Sequence, residues 1–277
     1  MAKVTIGGLA WLVAIGFSGV AWGGPLMAPS GFEGAGLGKT SQQRGRAWGE
    51  IGYHTQDRIT IVAPTFGVGL LPVPQLELEA IFPFSHARGD NDSETTFGNL
   101  YLGANYLSLD GEDRVKVGLG MFLATAPTGN GSEVATNIYG TYPEGLQHFW
   151  LHIPYGYGVV APVHLEGGRR IFGSLDAAGI VVIPSADAPD SADTEMYATF
   201  APGVGMRAIA STSLGVRVPM FWAITADSGD DFQITVEPYL RFDFGSGFFS
   251  VRFNIPVDDP LKKESIWGLL LGAGGAF

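Results

Sequence analysis

Apolar and polar side chains alternate along residues 232–243, Phe-Gln-Ile-Thr-Val-Glu-Pro-Tyr-Leu-Arg-Phe-Asp. Successive side chains of a β-strand point to opposite faces, so the polar residues share one face and the apolar residues share the other. The polar face carries Gln233, Thr235, Glu237, Tyr239, Arg241 and Asp243. Acids and bases arranged in this way can form ion pairs and hydrogen bonds around a wet interior, while the apolar face contacts lipid.

The same alternation on other predicted strands extends this polar face. It adds Glu77, Glu79, Asn99, Tyr101, Lys116, Asp176, Arg207, Arg217 and Arg252. Because both signs of charge occur on neighbouring strands, two interpretations remain open. The groups either form a salt-bridged network that fills the interior, or they line a polar pore.

Other patterns that could carry chemistry are sparse. His148 and His152 would suit a shared metal on a helix, but in a strand they lie about 13 Å apart. Their aromatic neighbours favour a place in the interfacial belt of a membrane strand. The sequence has neither a Gly-x-Ser-x-Gly elbow nor a Gly-x-x-x-x-Gly-Lys phosphate loop. We therefore expect no catalytic residue, metal or cofactor. A barrel hydrolase with Ser and His on its outer face is the remaining enzymatic alternative.

Twelve segments predict the strands that position these groups. Their apolar residues tend to alternate, and no long run has the 3.6-residue period of a helix. The predicted strands are 46–54, 58–70, 75–84, 97–107, 114–125, 148–163, 170–184, 195–209, 213–225, 232–243, 248–256 and 265–277. An even number of segments of this length predicts an all-β fold, an antiparallel transmembrane β-barrel of about 12 strands.

Both ends of the chain suit an exported barrel. Counting back from Phe277 in steps of two gives an apolar face with aromatic ends, so Phe277 is the candidate assembly signal of a closing strand. Residues 1–23 predict a signal peptide, since Lys3 precedes an apolar stretch that ends in small residues. A retained N-terminal anchor is the alternative. Residues 24–45 predict an irregular lead-in or plug, and residues 46–277 predict the barrel.

Charge and hydropathy restrict the class of protein. The chain has 16 Lys and Arg against 27 Asp and Glu, a net charge of −11, which argues against nucleic acid as a partner. It has no cysteine, so no disulfide framework can form. Mean hydropathy is +0.19, high for a secreted soluble protein. After residue 23 no apolar run is long enough for a transmembrane helix.

The connections between strands predict an orientation. Counted backward from a periplasmic Phe277, the outer loops are 257–264, 226–231, 185–194, 126–147 and 85–96. The inner turns are shorter, as in outer-membrane barrels. The outer loops are rich in Asp and Glu, which suits either solvation or bridging by divalent cations to anionic lipid.

Prolines conflict with the predicted strands. Pro64, Pro83, Pro154, Pro202, Pro219 and Pro238 fall inside them, although proline cannot donate to a β-ladder. Either several strands are shorter than drawn, or the wall is kinked. One hypothesis is that Pro202, Pro219 and Pro238 weaken the wall enough for an apolar solute to leave sideways. The simpler alternative is bulges that only adjust curvature.

Residues 59–130 resemble a known family. The runs Ile-Val-Ala-Pro-Thr-Phe-Gly-Val-Gly, Phe-Gly-Asn-Leu-Tyr-Leu-Gly-Ala-Asn-Tyr-Leu and Ala-Pro-Thr-Gly are similar to the outer-membrane family associated with meta-pathway phenol degradation. Asn99 stands where that family has an acidic residue. The resemblance implies a channel for hydrophobic compounds, and it brings no catalytic residues.

Together these patterns predict a protein of the cell outer membrane. The expected function is a channel or transporter for small molecules, with hydrophobic or aromatic compounds as the candidates. The alternative is a closed structural or adhesive barrel that acts through its acidic outer loops. The expected partners are outer-membrane lipid, the barrel assembly machinery and a small-molecule solute.

Overall fold

The computed structural model describes residues 44–56, 59–90, 92–110, 113–128, 131–144, 148–186, 188, 193–209, 211–225, 232–244, 247–257 and 267–277. The predicted signal peptide and nearly all of the predicted lead-in lie outside these residues. Among the described residues, no helix is both long and apolar enough to cross a bilayer.

Most of the described chain is β-strand. The first seven strands are β1 (Gly45–Gln56), β2 (Ile59–Val73), β3 (Leu76–Arg88), β4 (Ser93–Phe97), β5 (Leu100–Asp110), β6 (Asp113–Leu123) and β7 (Gly156–Gly167). The other seven are β8 (Ile171–Pro184), β9 (Glu195–Ile209), β10 (Thr212–Arg217), β11 (Met220–Ala223), β12 (Phe232–Phe244), β13 (Gly247–Pro256) and β14 (Gly268–Ala276). Between β6 and β7 lie the helix α1 (Gly131–Glu144) and a 3₁₀ helix (Phe149–Leu151).

The strands form one closed antiparallel barrel. β3 pairs with both β4 and β5, and β9 and β12 each pair with both β10 and β11. β4 with β5, and β10 with β11, therefore act as single wall strands, which makes twelve. The predicted fold and strand number are confirmed.

The seam between the two ends of the sheet closes at Phe277. β1 pairs with β14 from Arg46–Ala276 to His54–Gly268. Beyond this register, Phe277 N donates to Gly45 O over 3.0 Å, and Arg44 N donates to Phe277 O over 2.9 Å. The last residue thus takes part in the ladder, so no free sheet edge remains at this position.

Side chains alternate between the two faces of the wall. Large apolar residues on the outer face are widely exposed, such as Leu119 at 61% and Ile171 at 67%. Charged residues on the inner face are buried, among them Glu79, Arg217 and Glu237. This arrangement inverts that of a soluble domain and is the one expected of a barrel whose outer face contacts lipid.

The two rims differ in the length of their connections. At the Phe277 end, consecutive wall strands are separated by only two or three residues, as between β2 and β3 or between β7 and β8. The opposite rim carries the longer connections 124–155, 185–194, 224–231 and 257–267, besides two short ones at 57–58 and 89–92. The predicted loop 85–96 is too long, since β3 runs to Arg88 and β4 begins at Ser93. Most acids of the other predicted outer loops lie outside the described residues.

The wall keeps one register across Pro202. Arg217 opposes Gly203 in the pairing of β9 with β10, and Met220 opposes Phe200 in the pairing of β9 with β11. The two pairs belong to one continuous antiparallel register. The residues between β10 and β11 therefore interrupt the strand without shifting it.

Hydrogen bonds cross two of the three central prolines. Val218 N donates to Pro202 O over 2.8 Å, and Thr235 N donates to Pro219 O over 2.9 Å. The ladder is thus bridged there, and the hypothesis of a sideways exit loses its basis at Pro202 and Pro219. At Pro238 the pairing of β12 with β13 omits two successive pairs, which fits a local adjustment of the wall.

A charge on the outer face should destabilise the barrel. We expect Leu119→Arg to lower the free energy of unfolding by about 2–4 kcal/mol, because a guanidinium placed in hydrocarbon loses its hydration. Urea unfolding of the barrel refolded into lipid vesicles measures this change. Leu119→Phe is the control and should remain close to wild type. Equal stability of Leu119→Arg and wild type would mean that this face does not contact lipid.

Candidate functional site

A segment between β6 and β7 folds into the barrel. We call the plug the helix α1 together with residues 148–155, which include the 3₁₀ helix. α1 packs against β1, β2, β3, β4 and β14. On the wall, inward-facing Ser85 donates to Thr136 O over 2.7 Å, and Thr96 Oγ1 donates to Asn137 Oδ1 over 3.0 Å.

The 3₁₀ helix is the apolar centre of the plug. Phe149, Trp150 and Leu151 are each fully buried. The ring of Trp150 lies 5.1 Å from that of Tyr101 and 5.5 Å from that of Phe122. These aromatic contacts anchor the plug to β5 and β6.

The other side of the 3₁₀ helix contacts the opposite part of the wall. The ring of Phe149 lies 4.8 Å from Tyr197 on β9 and 5.3 Å from Phe221 on β11. Because β5 and β6 contact Trp150 while β9 and β11 contact Phe149, the plug spans part of the interior and narrows any path through it.

Asn99 joins the plug, and the chain that leads into it, to the wall. It is fully buried, and its amide Nδ2 donates to Trp150 O over 2.9 Å and to Ile153 O over 2.8 Å. Its Oδ1 accepts from Ala126 N over 3.1 Å, and its backbone N donates to Leu151 O over 2.5 Å. One side chain thus satisfies backbone groups at the entry and at the exit of the inserted segment.

Gly98 allows this close approach. A Cβ at Gly98 would lie 2.2 Å from the carbonyl oxygen of Leu151 and 3.0 Å from His152 Nδ1. A larger residue there would push the plug away from β4 and β5. A glycine of the plug also permits close contact with the wall, since a Cβ at Gly140 would lie 2.7 Å from Ser85 Cβ.

The plug corrects two sequence predictions. Residues 126–147 were expected as a loop and 148–163 as a strand, whereas β7 begins only at Gly156 and Pro154 lies before it. The buried side of α1 holds Thr136, Asn137, Gly140 and Thr141 beside Val134. These residues are mostly polar or small, so the helix has no apolar period for a sequence to reveal.

His148 and His152 also lie elsewhere than expected. They do not belong to a strand or to an interfacial belt, because they flank the 3₁₀ helix inside the barrel. The described residues contain no group of three or more His, Cys, Asp or Glu that could hold a metal ion.

Four charged residues and one amide form a network on β1, β3, β5 and β6. Arg46 Nε donates to Glu77 Oε1 over 2.5 Å, and its Nη2 donates to Glu79 Oε1 over 3.0 Å. Lys116 Nζ lies 3.0 Å from Glu77 and 3.1 Å from Glu79. The Asn105 amide donates to both carboxylates over 3.2 Å. Pairing of this kind offsets part of the cost of burying charge.

A second network lies on the opposite part of the wall. Arg217 is paired with Glu237, and its Nη1 lies 3.2 Å from Asp176 Oδ2. The same aspartate is hydrogen-bonded to His164. Each of these groups is at least nine-tenths buried. Opposite charges on β7, β8, β10 and β12 therefore compensate each other inside the barrel.

The second network continues onto β13 and β1. Arg252 is paired with Glu50, and its Nη1 lies 3.8 Å from Glu237 Oε1. Ion pairs thus continue around the wall past the seam between β14 and β1.

A third set of charges lies near the Phe277 rim. Glu166 Oε1 is shared by Arg114 at 3.5 Å and Arg207 at 3.1 Å. Arg241 Nη2 lies 2.6 Å from Asp243 Oδ1. The Arg241 guanidinium also lies 4.4 Å from the centre of the Phe248 ring, a cation–π contact.

Tyr101 and Tyr239 lie flat against inward-facing glycines. Tyr101 Oη would be 2.4 Å from a Cβ at Gly103 and 2.3 Å from one at Gly120. Tyr239 Oη would be 2.4 Å from a Cβ at Gly205. Because these glycines have no side chain, the two tyrosine rings can lie beside the wall.

All thirteen candidate interior residues point away from the lipid face. Eleven are buried, and Arg207 and Asp243 are partly exposed near the rim. The sequence reasoning missed Arg46, Glu50, Arg114, His164 and Glu166, which share the same networks. Their strands carry the same alternation, and applying its phase to β1, β6 and β7 would have found them. Passage of solute along these residues stays a prediction.

Solved structures with this fold are outer-membrane proteins. The COG4313 outer membrane channel from Pseudomonas putida F1 has a TM-score of 0.59 at 13% identity, covering 86% of this chain and 97% of that one. The NanC porin has a TM-score of 0.51 at 9% identity, covering 83% of this chain and 100% of that one. At these identities the likeness establishes the fold alone.

Comparisons of sequence add no family. No family model matches the chain, and no curated protein matches it. The similarity to outer-membrane barrels is therefore shown by structure, and membership of the phenol-degradation family stays a prediction.

Loss of the Asn99 amide should loosen the plug. We expect Asn99→Leu to increase hydrogen exchange in residues 131–144 and 148–155 by roughly tenfold or more, because each lost hydrogen bond is worth about 1 kcal/mol. Exchange of the folded barrel in detergent, followed by mass spectrometry, measures this. The control is Asn105→Leu, which removes an inward asparagine on the same strand that contacts no plug residue in this structure. Unchanged protection in Asn99→Leu would show that the other contacts of the plug hold it without Asn99.

Proposed function

We propose that this protein is a gated channel of the outer membrane that passes small molecules. The observation that carries the proposal is a closed barrel whose interior is polar yet partly filled by a segment that is not part of the wall. A purely structural barrel needs neither inward charges on nearly every strand nor an inserted segment attached through a few side-chain contacts.

Buried polar atoms support a hydrated interior. Among the described residues, several inward groups have a polar atom with no protein hydrogen-bond partner: Glu50 Oε1, Gln233 Oε1, Thr235 Oγ1, Glu237 Oε2, Ser250 Oγ and Arg252 Nε. Buried polar atoms are generally satisfied by protein or by water. Their concentration on β12 and β13 favours water along this part of the interior, beside the plug.

The interior suggests a solute with both polar and aromatic character. Tyr101, Phe122 and Trp150 form an aromatic surface on one side, while Arg217 and Glu237 offer charge on the other. Small molecules with a hydrophobic or aromatic part and a polar group would contact both. This agrees with what the family resemblance implies, and the solute itself stays a prediction.

The alternative is a closed barrel with a structural or adhesive role. The dense packing of Phe149, Trp150 and Leu151 favours it, because a permanently fixed plug would block passage. Its acidic outer loops lie mostly outside the described residues. The two functions differ in whether removal of the plug opens an ion path.

Removing the plug should create a larger pore. We expect replacement of residues 131–151 by a short Gly-Ser linker to raise single-channel conductance in planar bilayers several-fold, because the aromatic crossing disappears. A matched control replaces residues 224–231, which lie on the same rim, by a Gly-Ser linker of the same length as the one that replaces residues 131–151. Zero conductance of the plug-deleted, folded barrel would contradict a channel and favour the structural alternative.

We further propose export to the outer membrane through the predicted signal peptide and insertion by the barrel assembly machinery. The Phe277 side chain is 59% exposed on the outer face, where a ring can sit at the lipid interface. Its backbone closes the seam with Arg44 and Gly45. Phe277 therefore combines an exposed ring for recognition with a structural role in closure.

Deletion of Phe277 should impair assembly. We expect less heat-modifiable barrel in outer-membrane fractions, because both the terminal ring and its seam hydrogen bonds are lost. Phe277→Tyr keeps the ring and the backbone, so it should assemble like wild type. Normal assembly of the deletion variant would contradict the role of Phe277.

A further inference from the structure

Two of the five histidines of the chain lie on the plug. His148 and His152 flank the 3₁₀ helix and are 1% and 0% exposed. Among the described residues, Nδ1 of His148 and both ring nitrogens of His152 have no hydrogen-bond partner. Among the described side chains, no carboxylate is hydrogen-bonded to either ring.

The surroundings of His148 oppose a positive charge. Lys116 on β6, Arg217 on β10 and Arg252 on β13 all act on it electrostatically, and its ring lies 5.6 Å from that of Trp150. A small cavity beside it is also lined by His164 and Asp176. That aspartate is already shared by His164 and Arg217, so it offers little compensation.

The surroundings of His152 are neutral. Its Nδ1 lies close to Gly98 of the wall and to Gly140 of α1, where Ser85 also approaches. Burial lowers the pKa of His152, and no charged side chain of the described residues is a further cause of that shift. A proton on this ring would create an unpaired charge between the plug and β3 to β5.

We propose that His148 and His152 make the plug acid-labile, so that protonation of the two rings releases it from the wall and opens the interior. This inference rests on the proposed channel function for its effect on conductance. The release itself is a property of the plug and can be measured separately.

The direction and the pH window follow from linkage. Burial lowers the pKa of both histidines to about 3, and nearby cations add to the effect at His148. Once released into water, each ring would titrate near about 6.5. The plugged state therefore has its full stability above about pH 6.5 and loses stability as the pH falls below that value towards 3. Between about pH 7.5 and 4.5, the ratio of released to plugged barrels should rise on the order of 100-fold per histidine.

Current through planar bilayers tests the effect on opening. We expect the open-to-closed ratio of wild type to rise steeply between about pH 7.5 and 4.5. In the double variant His148→Gln with His152→Gln this pH-dependent rise should be largely lost. His86→Gln is the control, since His86 is hydrogen-bonded to Thr95 on the wall, and it should keep the wild-type response. An undiminished acid response in the folded double variant would overturn the proposal, because other groups would then cause it.

Acrylamide quenching of Trp150 fluorescence reports the release of the plug, independently of any current. The Trp150 signal is the difference between wild type and Trp150→Phe, and it should become accessible at about pH 4.5 in wild type but not in the double variant. Increased quenching in a barrel that never conducts would support the acid-labile plug while contradicting the channel. Unchanged quenching at acid pH would overturn the plug proposal whatever the current.

A tethered plug keeps the test independent of the folding of the double variant. Thr96 and Asn137 are in side-chain contact, and the chain has no natural cysteine, so Thr96→Cys with Asn137→Cys can link α1 to β4. Acid-induced quenching and opening should vanish when the pair is oxidised and return when it is reduced. Full acid opening with the tether closed would overturn the proposal.

Discussion

The structure depends on the need to pair every backbone N–H and C=O group that lies in hydrocarbon. No water is present there to replace a missing partner, so a spanning sheet must close on itself. The pairing of β1 with β14 meets this requirement, and Phe277 extends the ladder to the last residue. Prolines are tolerated where the register continues past them, as at Pro202 and Pro219.

Closure in lipid determines the character of the interior. Once apolar side chains face outward, the alternate positions face inward, and the charged residues among them are removed from bulk water together. Arg46 with Glu77, and Arg217 with Glu237, show how adjoining strands compensate each other. Such pairs add little net stability, because desolvation offsets most of their attraction. Polar atoms that remain without a protein partner favour hydration of the space beside the plug.

The plug is attached by contacts of two kinds. Aromatic packing around Trp150 and Phe149 is strong but not directional, whereas the Asn99 amide fixes both ends of the segment through directional hydrogen bonds. Gly98 permits the approach that those bonds require. A segment held in this way can leave the wall without breaking any strand pairing. This separates a gating movement from unfolding of the barrel.

The sequence by itself determined the barrel. Apolar side chains occur at every second position in many segments, and no other layer of the fold could cover these apolar faces. A closed barrel with its apolar face outward is the fold that accommodates them. The sequence predicted the twelve wall strands and the inward face of Glu237 or Arg217, since the direction of a side chain in a strand follows from its position alone. The plug could not be predicted in this way. The buried side of α1 is formed by Thr136, Asn137 and Gly140, and its stability comes from the surrounding wall instead of an apolar period. Only the tertiary structure showed that Asn99 contacts the plug, and that His148 and His152 lie in the interior, because those positions depend on contacts between residues distant along the chain.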